Sequence, residues 1–292
     1  MPTTFTLNTG TQIPWLGFGT GTALYSKDAS QLVRQAIDAG VNHLDGAQMY
    51  NNEETLGTGI KQSGKPRAEL FITTKLNGKV LQPGQTIKDT LQVSLQKLGL
   101  EYVDLFLIHD PTPATKQSNE TLIDWWKQME GVYADGLAKA IGVSNFKVSD
   151  LEIILPGAKV IPAANQIELH PYVWQEAEPI VRLCHEKGIV VESYGGLSPI
   201  VRVPGGPLDP TLETIRQRLA KDHGQPVSAG QVLTKWLSAK KAVVVTTTSK
   251  VERIKEFQDL PKIPDLTLEE VKQIEESGAE LHKRSYMGHV FQ

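Results

Sequence analysis

Asp45, Tyr50, Lys75 and His109 are the side chains of this sequence whose types and spacing could move a proton between them. Asp45 ends the apolar run His43-Leu44-Asp45, and Tyr50 follows in Gly46-Ala47-Gln48-Met49-Tyr50. Lys75 ends Phe71-Ile72-Thr73-Thr74-Lys75, and His109 ends Val103-Asp104-Leu105-Phe106-Leu107-Ile108-His109. A carboxylate at the end of a buried strand is costly unless paired, and a lysine ending the neighbouring strand is its natural partner. Tyrosine alone is a poor acid or base near neutrality, since its free pKa is about 10. An ammonium beside it favours the phenolate and is expected to lower that value, while the aspartate keeps the lysine charged and in place. A histidine can orient a carbonyl or share the proton. The chemistry these types suggest is proton transfer to a carbonyl oxygen. Singly, they read as a buried ion pair, a capped tyrosine and a satisfied histidine. Together at successive strand ends they read as an active site.

To bring the four to one place the chain needs parallel strands separated by helices, and its apolar pattern supplies them. Residues 5–13 alternate around an Asn/Gly turn as a short hairpin. Strands are predicted over residues 15–20, 42–45, 70–75, 103–109, 138–143, 163–168, 189–194 and 242–246. Helices are predicted over 32–39, 53–62, 86–98, 122–134, 148–155, 176–187 and 212–222, several closed by a glycine. Two further helices, 251–258 and 268–281, precede an irregular tail from 283 to 292. The Gly- and Pro-rich stretch 195–210 reads as a long loop at the mouth rather than a domain boundary. Strict strand–helix alternation with continuously apolar strands predicts an α/β chain. Its expected form is a closed (β/α)8 TIM barrel with an N-terminal β-hairpin and two extra C-terminal helices, residues 1–292 forming one domain. Catalytic groups of such barrels sit at the C-terminal ends of strands, where Asp45, Lys75 and His109 fall.

Composition narrows the rest. At 292 residues, 40% of them hydrophobic, the chain can bury a large core, and its formal charge of −3 offers no field for nucleic acid. Cys184 alone allows no intrachain disulfide, which suits a reducing compartment. Met1-Pro2-Thr3-Thr4-Phe5 lacks the basic and apolar regions of a secretory signal, and no apolar run is long enough for a membrane helix. A cytoplasmic protein without membrane or nucleic-acid partners is expected, a monomer or weak homodimer. A barrel metallohydrolase would want clustered ligands, and none of the seven histidines forms a His-x-His pair, so no metal is expected. Gly17-Phe18-Gly19-Thr20-Gly21-Thr22 suggests a dinucleotide fingerprint but lacks the third glycine at the required spacing.

The run Asp45–Tyr50 with Gly57, Lys75 in Ile72-Thr73-Thr74-Lys75-Leu76, and His109 after Asp104-Leu105-Phe106-Leu107-Ile108 resemble the motifs of the aldo-keto reductases. So do Gly142-Val143-Ser144-Asn145-Phe146 and Asn165-Gln166-Ile167-Glu168-Leu169-His170-Pro171-Tyr172, and the likeness spans nearly the whole chain. It implies an NADPH-dependent carbonyl reductase in which Asp45, Tyr50, Lys75 and His109 form the catalytic tetrad, with Tyr50 as the acid. Tyr50 and His109 would also hold the small-molecule carbonyl substrate. Ser144, Asn145 and Gln166 match positions that bind the nicotinamide carboxamide, and Tyr194 matches the aromatic on which the ring stacks, a flat apolar face that selects one hydrogen. Gly19, Thr20 and Gly21, with Asp45, would come close to the nicotinamide ribose. Gly195 and Leu197 would lie along the pyrophosphate, and Thr247, Thr248, Ser249, Lys250 and Arg253 near a 2′-phosphate.

Departures from the family pattern shape further expectations. Its Ile-Pro-Lys-Ser stretch is replaced by Val245-Thr246-Thr247-Thr248-Ser249-Lys250, with Arg253 retained. Hydroxyls and fixed positive charge near a helix N-terminus still suit a phosphate, so NADPH is expected over NADH. Gly195-Gly196-Leu197 stands where Ser-Pro-Leu is common, removing a hydroxyl from the pyrophosphate grip. Three positions often aromatic are Gly21, Asn77 and Asp110, which predicts a wider, wetter pocket. Substrates with a second oxygen, such as dicarbonyls or keto esters, would bond to Asn77 or to a water held by Asp110. The runs 246–250 and 197–203 resemble fungal conjugated polyketone and ketopantoyl-lactone reductases. A non-catalytic NADPH-binding regulatory subunit on the same barrel is the other reading. It would oxidise NADPH stoichiometrically without turnover.

Overall fold

Eight short apolar strands close on one another without an edge in a computed structural model that describes residues 3–82, 84–248 and 250–291. They are β3 (Leu16–Gly19), β4 (His43–Asp45), β5 (Phe71–Leu76), β6 (Leu105–Ile108), β7 (Ile141–Ser144), β8 (Ala164–Glu168), β9 (Val190–Tyr194) and β10 (Ala242–Thr246). Each is parallel to its neighbours, and β10 pairs back onto β3 with Val244 opposite Leu16. The strands are buried throughout or nearly so because the barrel fills one face and helices cover the other. The expected (β/α)8 barrel is the fold observed. An antiparallel hairpin, β1 (Thr4–Thr6) and β2 (Gln12–Pro14), precedes it. Its Leu7 and Ile13 are buried against Phe71, Leu105, Leu107 and Val243, plugging the barrel at the N-terminal ends of its strands.

The outer layer consists of α1 (Ser30–Asp38), α2 (Glu53–Ser63), α3 (Ile87–Leu98), α4 (Thr112–Thr115), α5 (Asn119–Ala134), α6 (Val148–Ile154), α7 (Trp174–Glu186), α8 (Ser198–Arg202), α9 (Asp209–His223), α10 (Ala229–Ala239), α11 (Val251–Gln258) and α12 (Leu268–Ala279). Local chemistry fixes several ends. Thr86 and Asp89 cap α3 reciprocally, as Thr267 and Glu270 cap α12, satisfying amides that have no partner within the helix.

Two stretches differ from their sequence-based expectation. The loop expected over 195–210 contains α8, a single turn opened by Pro199. Helix α10 was not expected at all. Its residues from Gln231 to Leu237 are all buried, yet Ser228 and Gln231 form a capping box and the polar Gln231, Thr234, Lys235 and Ser238 recur at helical spacing. Among the described residues no helix is long and apolar enough to cross a membrane.

Candidate active site

Parallel register sets the site. Gly19 lies opposite Asp45, Asp45 opposite Thr73, and Lys75 opposite Leu107, so β3 to β6 end at one mouth. Tyr50 arrives on a short 3-10 turn, Gln48–Tyr50, whose ends are tied down. Gln48 accepts from the Asn77 amide at 2.8 Å and donates to Ser94, while the Asn52 amide donates to the carbonyls of Thr20 and Leu24.

The four expected residues meet. Lys75 Nζ donates to Asp45 Oδ1 at 2.6 Å, to the Gly46 carbonyl at 2.9 Å and toward the Tyr50 hydroxyl at 3.4 Å. His109 stands edge-on to the Tyr50 ring, with centroids 5.5 Å apart. Asp45 Oδ2 accepts from Gln166 Nε2 at 2.8 Å, so both its oxygens are used. Burial disfavours a charged Lys75, but Asp45, Tyr50 and Glu192 outweigh it and raise the lysine above its ordinary value. Burial, with Lys75 and Lys79 nearby, holds His109 well below the ordinary histidine range, so its ring is neutral near pH 7. Tyr50 departs from expectation. Burial pushes its hydroxyl up, and Lys75 only partly offsets this, because removing a phenolate from water costs more than one already-paired ammonium returns. Tyr50 therefore holds its proton firmly.

A cavity of about 300 Å³ opens beside Tyr50 and runs between Tyr194, the 195–202 segment and the end of β10. Of the residues expected around a cofactor, Gly19, Gly21, Asp45, Gln166, Tyr194, Gly195, Leu197, Thr247 and Arg253 line it. The other described ones stand behind the wall or away from it. Thr20 donates through its amide and hydroxyl to the Asp45 carbonyl, and Ser144 donates to the Gln166 carbonyl. Asn145 accepts from the Tyr194 hydroxyl at 2.6 Å and donates to the His109 carbonyl at 2.9 Å, so its amide braces two elements of the site. Thr248 is buried and accepts from the Lys250 amide, and Lys250 is exposed. Ser249 lies outside the described residues.

The substrate side is less open than the sequence suggested. Gly21 is covered by the Tyr50 ring. Asn77 caps the next turn through the Lys79 amide. Asp110 is buried, accepting from the Thr112 amide at 2.7 Å and pairing with His289 Nε2 at 2.9 Å, so its oxygens are occupied by protein rather than by a held water. His289 belongs to the tail read as irregular. That tail has no helix or strand among its described residues, yet it is anchored. The buried Glu168 carboxylate accepts from the amides of Ser285 and Tyr286 at 2.8 and 3.0 Å, and Arg284 bridges Glu168 and Glu176. Tyr286 then meets the Tyr194 ring edge-on and accepts from Arg202.

Sequence reasoning missed Tyr286, His289, Arg202 and Glu192. Only Glu192 left a signal, a charged residue inside the apolar strand Val190-Val191-Glu192-Ser193-Tyr194. Among the described residues, His43, Asp45 and Glu192 present ligand-type atoms within 4.8 Å of one another, although no His-x-His pair marks them.

A closed parallel barrel with ionisable groups gathered at the C-terminal strand ends defines a class of barrel proteins with a site at that mouth. Residues 15–279 match the model of the Aldo/keto reductase family, and the chain belongs to that family of carbonyl oxidoreductases. An NAD/NADP-dependent indole-3-acetaldehyde reductase of Schizosaccharomyces pombe is 38% identical over 96% of this chain and 97% of its own. An NADPH-dependent alpha-keto amide reductase of Saccharomyces cerevisiae is 35% identical over 94% of this chain and 91% of its own. The crystal structure of an aldo/keto reductase from Brucella melitensis superposes with a TM-score of 0.79 at 33% identity, covering 94% of this chain and 98% of that one.

Proposed function

We propose that this chain reduces a ketone or aldehyde to an alcohol with hydride from NADPH, Tyr50 giving the proton, residues 1–292 acting as one barrel unit. The observation that carries this is Lys75 Nζ, held at 2.6 Å by Asp45 and reaching the Tyr50 hydroxyl at 3.4 Å. An acid must keep its proton until the alkoxide forms and then lose it readily. Burial serves the first need at Tyr50, and the fixed ammonium serves the second by stabilising the phenolate left behind. Asp45 keeps that ammonium charged and aimed. His109, neutral beside the Tyr50 ring, has one N–H with which to orient the carbonyl oxygen.

The cavity suits a dinucleotide. Gly19, Gly21, Gly195 and Gly196 leave it a wall of bare backbone, and the Tyr194 ring offers a flat face. Arg253, which lines the cavity, and the N-terminus of α11 provide positive charge for a phosphate. When bound, NADPH supplies the hydride. Gln166 keeps its amide oxygen available, since its nitrogen is turned to Asp45. The preference for NADPH over NADH is assigned to Lys250 and Arg253. The fission yeast relative is named for both cofactors, the budding yeast one for NADPH.

The favoured substrate class is the activated carbonyl, a dicarbonyl or keto ester. Asn77 and Asp110, the latter paired with His289, follow the ends of β5 and β6, so these strand ends carry polar groups rather than the apolar wall from which a long aldehyde would draw contact area. The alpha-keto amide relative is named for a carbonyl of this kind. The test is NADPH consumption against aldehydes, α-keto lactones, diketones and keto esters, with alcohol formed per cofactor measured in parallel. Many turnovers on at least one class are expected. Stoichiometric oxidation without turnover would return the chain to a regulatory role.

A further inference from the structure

Glu192 points a carboxyl into the barrel beneath the proposed acid machinery and is fully buried. Its Oε1 has no hydrogen-bond partner, and its Oε2 lies 3.4 Å from Gln166 Nε2 and 3.9 Å from His43 Nε2. The same Gln166 nitrogen donates to Asp45 Oδ2 at 2.8 Å, so one amide spans two carboxyl groups. The cluster is not arranged for a cation, because both Asp45 oxygens already accept, one from Lys75 and one from Gln166. Two carboxyls this close in a dry interior cannot both ionise when only one ammonium serves them. Asp45 has taken that ammonium, and Glu192 is left with the proton.

We propose that Glu192 is a positioning residue acting through Gln166 and Asp45: as the neutral acid it leaves a single negative charge behind Lys75, which lets Tyr50 release its proton, and its ionisation shuts reduction down at alkaline pH. This rests on the reductase mechanism above. When Tyr50 protonates the forming alkoxide, a negative charge appears on its oxygen beside Lys75. With Glu192 neutral, the group of Asp45, Lys75 and Tyr50 goes from no net charge to one negative charge. With Glu192 ionised it would have to go from one to two, within a site that excludes water. An ionised Glu192 would also compete for the Gln166 nitrogen that steadies Asp45. Glu192 gains and loses nothing in the cycle; the proton delivered is that of Tyr50.

The neighbours support this assignment. Burial, and then the charge of Asp45, push the Glu192 carboxyl up to about 8. From β4 it faces His43 and Asp45, from β5 Lys75, and from β8 Gln166, while its β10 partner Val243 carries no charge. His43, lowered to about 4 by burial first, stays neutral through the alkaline range, and Lys75 stays charged.

The test is kcat/KM for carbonyl reduction from about pH 6 to about pH 10 in wild type and Glu192→Gln. NADPH affinity is followed by fluorescence at each pH, so that cofactor loss is separated from chemistry. The wild type should fall roughly tenfold per unit above its alkaline limb. In E192Q that limb should move up toward the ionisation of Tyr50, with NADPH affinity tracking wild type at every pH. A limb unmoved in E192Q, or a loss of turnover equal at all pH values, overturns the proposal. Should E192Q fail to fold, infrared titration of the wild type decides. A protonated-carboxyl band that vanishes across the limb supports the assignment, and no such band at about pH 6.5 overturns it. Full turnover in Tyr50→Phe would sink the reductase mechanism instead, and the infrared titration of Glu192 would be untouched by it.

Discussion

Gly21 lies against the ring of Tyr50, so near that a Cβ built on it would meet Tyr50 Cζ at 2.9 Å. A missing aromatic at this position therefore opens no extra room for substrate. The space belongs to the acid itself, whose hydroxyl-bearing edge rests on bare backbone.

Gly21→Ala should for this reason act on chemistry rather than folding. The backbone there, at φ −77°, is open to alanine, so the one conflict is with the Tyr50 ring. A shift of a few tenths of an ångström at the proton donor is expected to cost roughly tenfold or more in kcat. Thermal stability should stay close to wild type. Unchanged kcat would show that the ring position is not critical.

Tyr50→Phe should abolish reduction while leaving NADPH affinity nearly intact, because the proton is given up only as the alkoxide develops. Fluorescence titration and single-turnover kinetics separate the two. Near-normal turnover would remove Tyr50 from its assigned role.

Lys250→Ala and Arg253→Ala should weaken NADPH and spare NADH. A charge-assisted contact to phosphate is worth roughly 1.5–3 kcal/mol, or about one to two decades in affinity. Arg253 lines the cavity and Lys250 stands exposed at the start of α11, so the larger loss is expected from Arg253. Equal weakening of both cofactors would place the 2′-phosphate elsewhere.

His289→Ala strips the buried Asp110 of its partner at 2.9 Å and frees the end of the tail. An unpartnered buried carboxylate oxygen costs about 1–3 kcal/mol, so the melting temperature should drop by several degrees. His289→Phe should in addition narrow the advantage of dicarbonyls over aliphatic aldehydes by restoring an apolar wall. A substrate ranking identical to wild type in both variants would place the pair outside substrate choice.

His43 contributes stability that acid removes. Burial lowers its folded pKa to about 4 from 6.5, so between those values the unfolded chain binds more protons than the folded one. Stability present above about pH 6.5 is then lost as pH falls toward 4, by up to roughly 3 kcal/mol. Glu192 acts in the other direction. Its folded value of about 8 lies above the ordinary 4.5, so its contribution is full below 4.5 and disappears as pH rises through 8. Between about 4.5 and 6.5 the two slopes oppose and largely cancel, so urea midpoints should be nearly flat there and fall as pH rises from 6.5 toward 8. In His43→Gln the fall should begin near pH 4.5 instead, and a profile unchanged from wild type would assign the flat region to other groups.

The barrel and the meeting of Asp45, Tyr50, Lys75 and His109 were determined by the sequence alone. Local rules sufficed there: an apolar run followed by a polar residue marks a strand end, and parallel strands of one barrel bring their ends to one mouth. What the tertiary structure decided are contacts between residues far apart in the chain. The Asp45–Gln166 bond, the Asp110–His289 pair and the hold of Glu168 on the tail have no local pattern, because each side chain takes whatever partner closure of the barrel puts before it. Helix α10 carries local signals too, the Ser228–Gln231 capping box and polar residues at 231, 234, 235 and 238. The sign at Tyr50, by contrast, was decided by the tertiary structure. Its types and spacing point to an ammonium that lowers the pKa, but burial is a property of the assembled site, and in this site it outweighs the ammonium. Glu192 was visible as a charge in an apolar strand. That it keeps its proton follows only from Asp45 reaching Lys75 first.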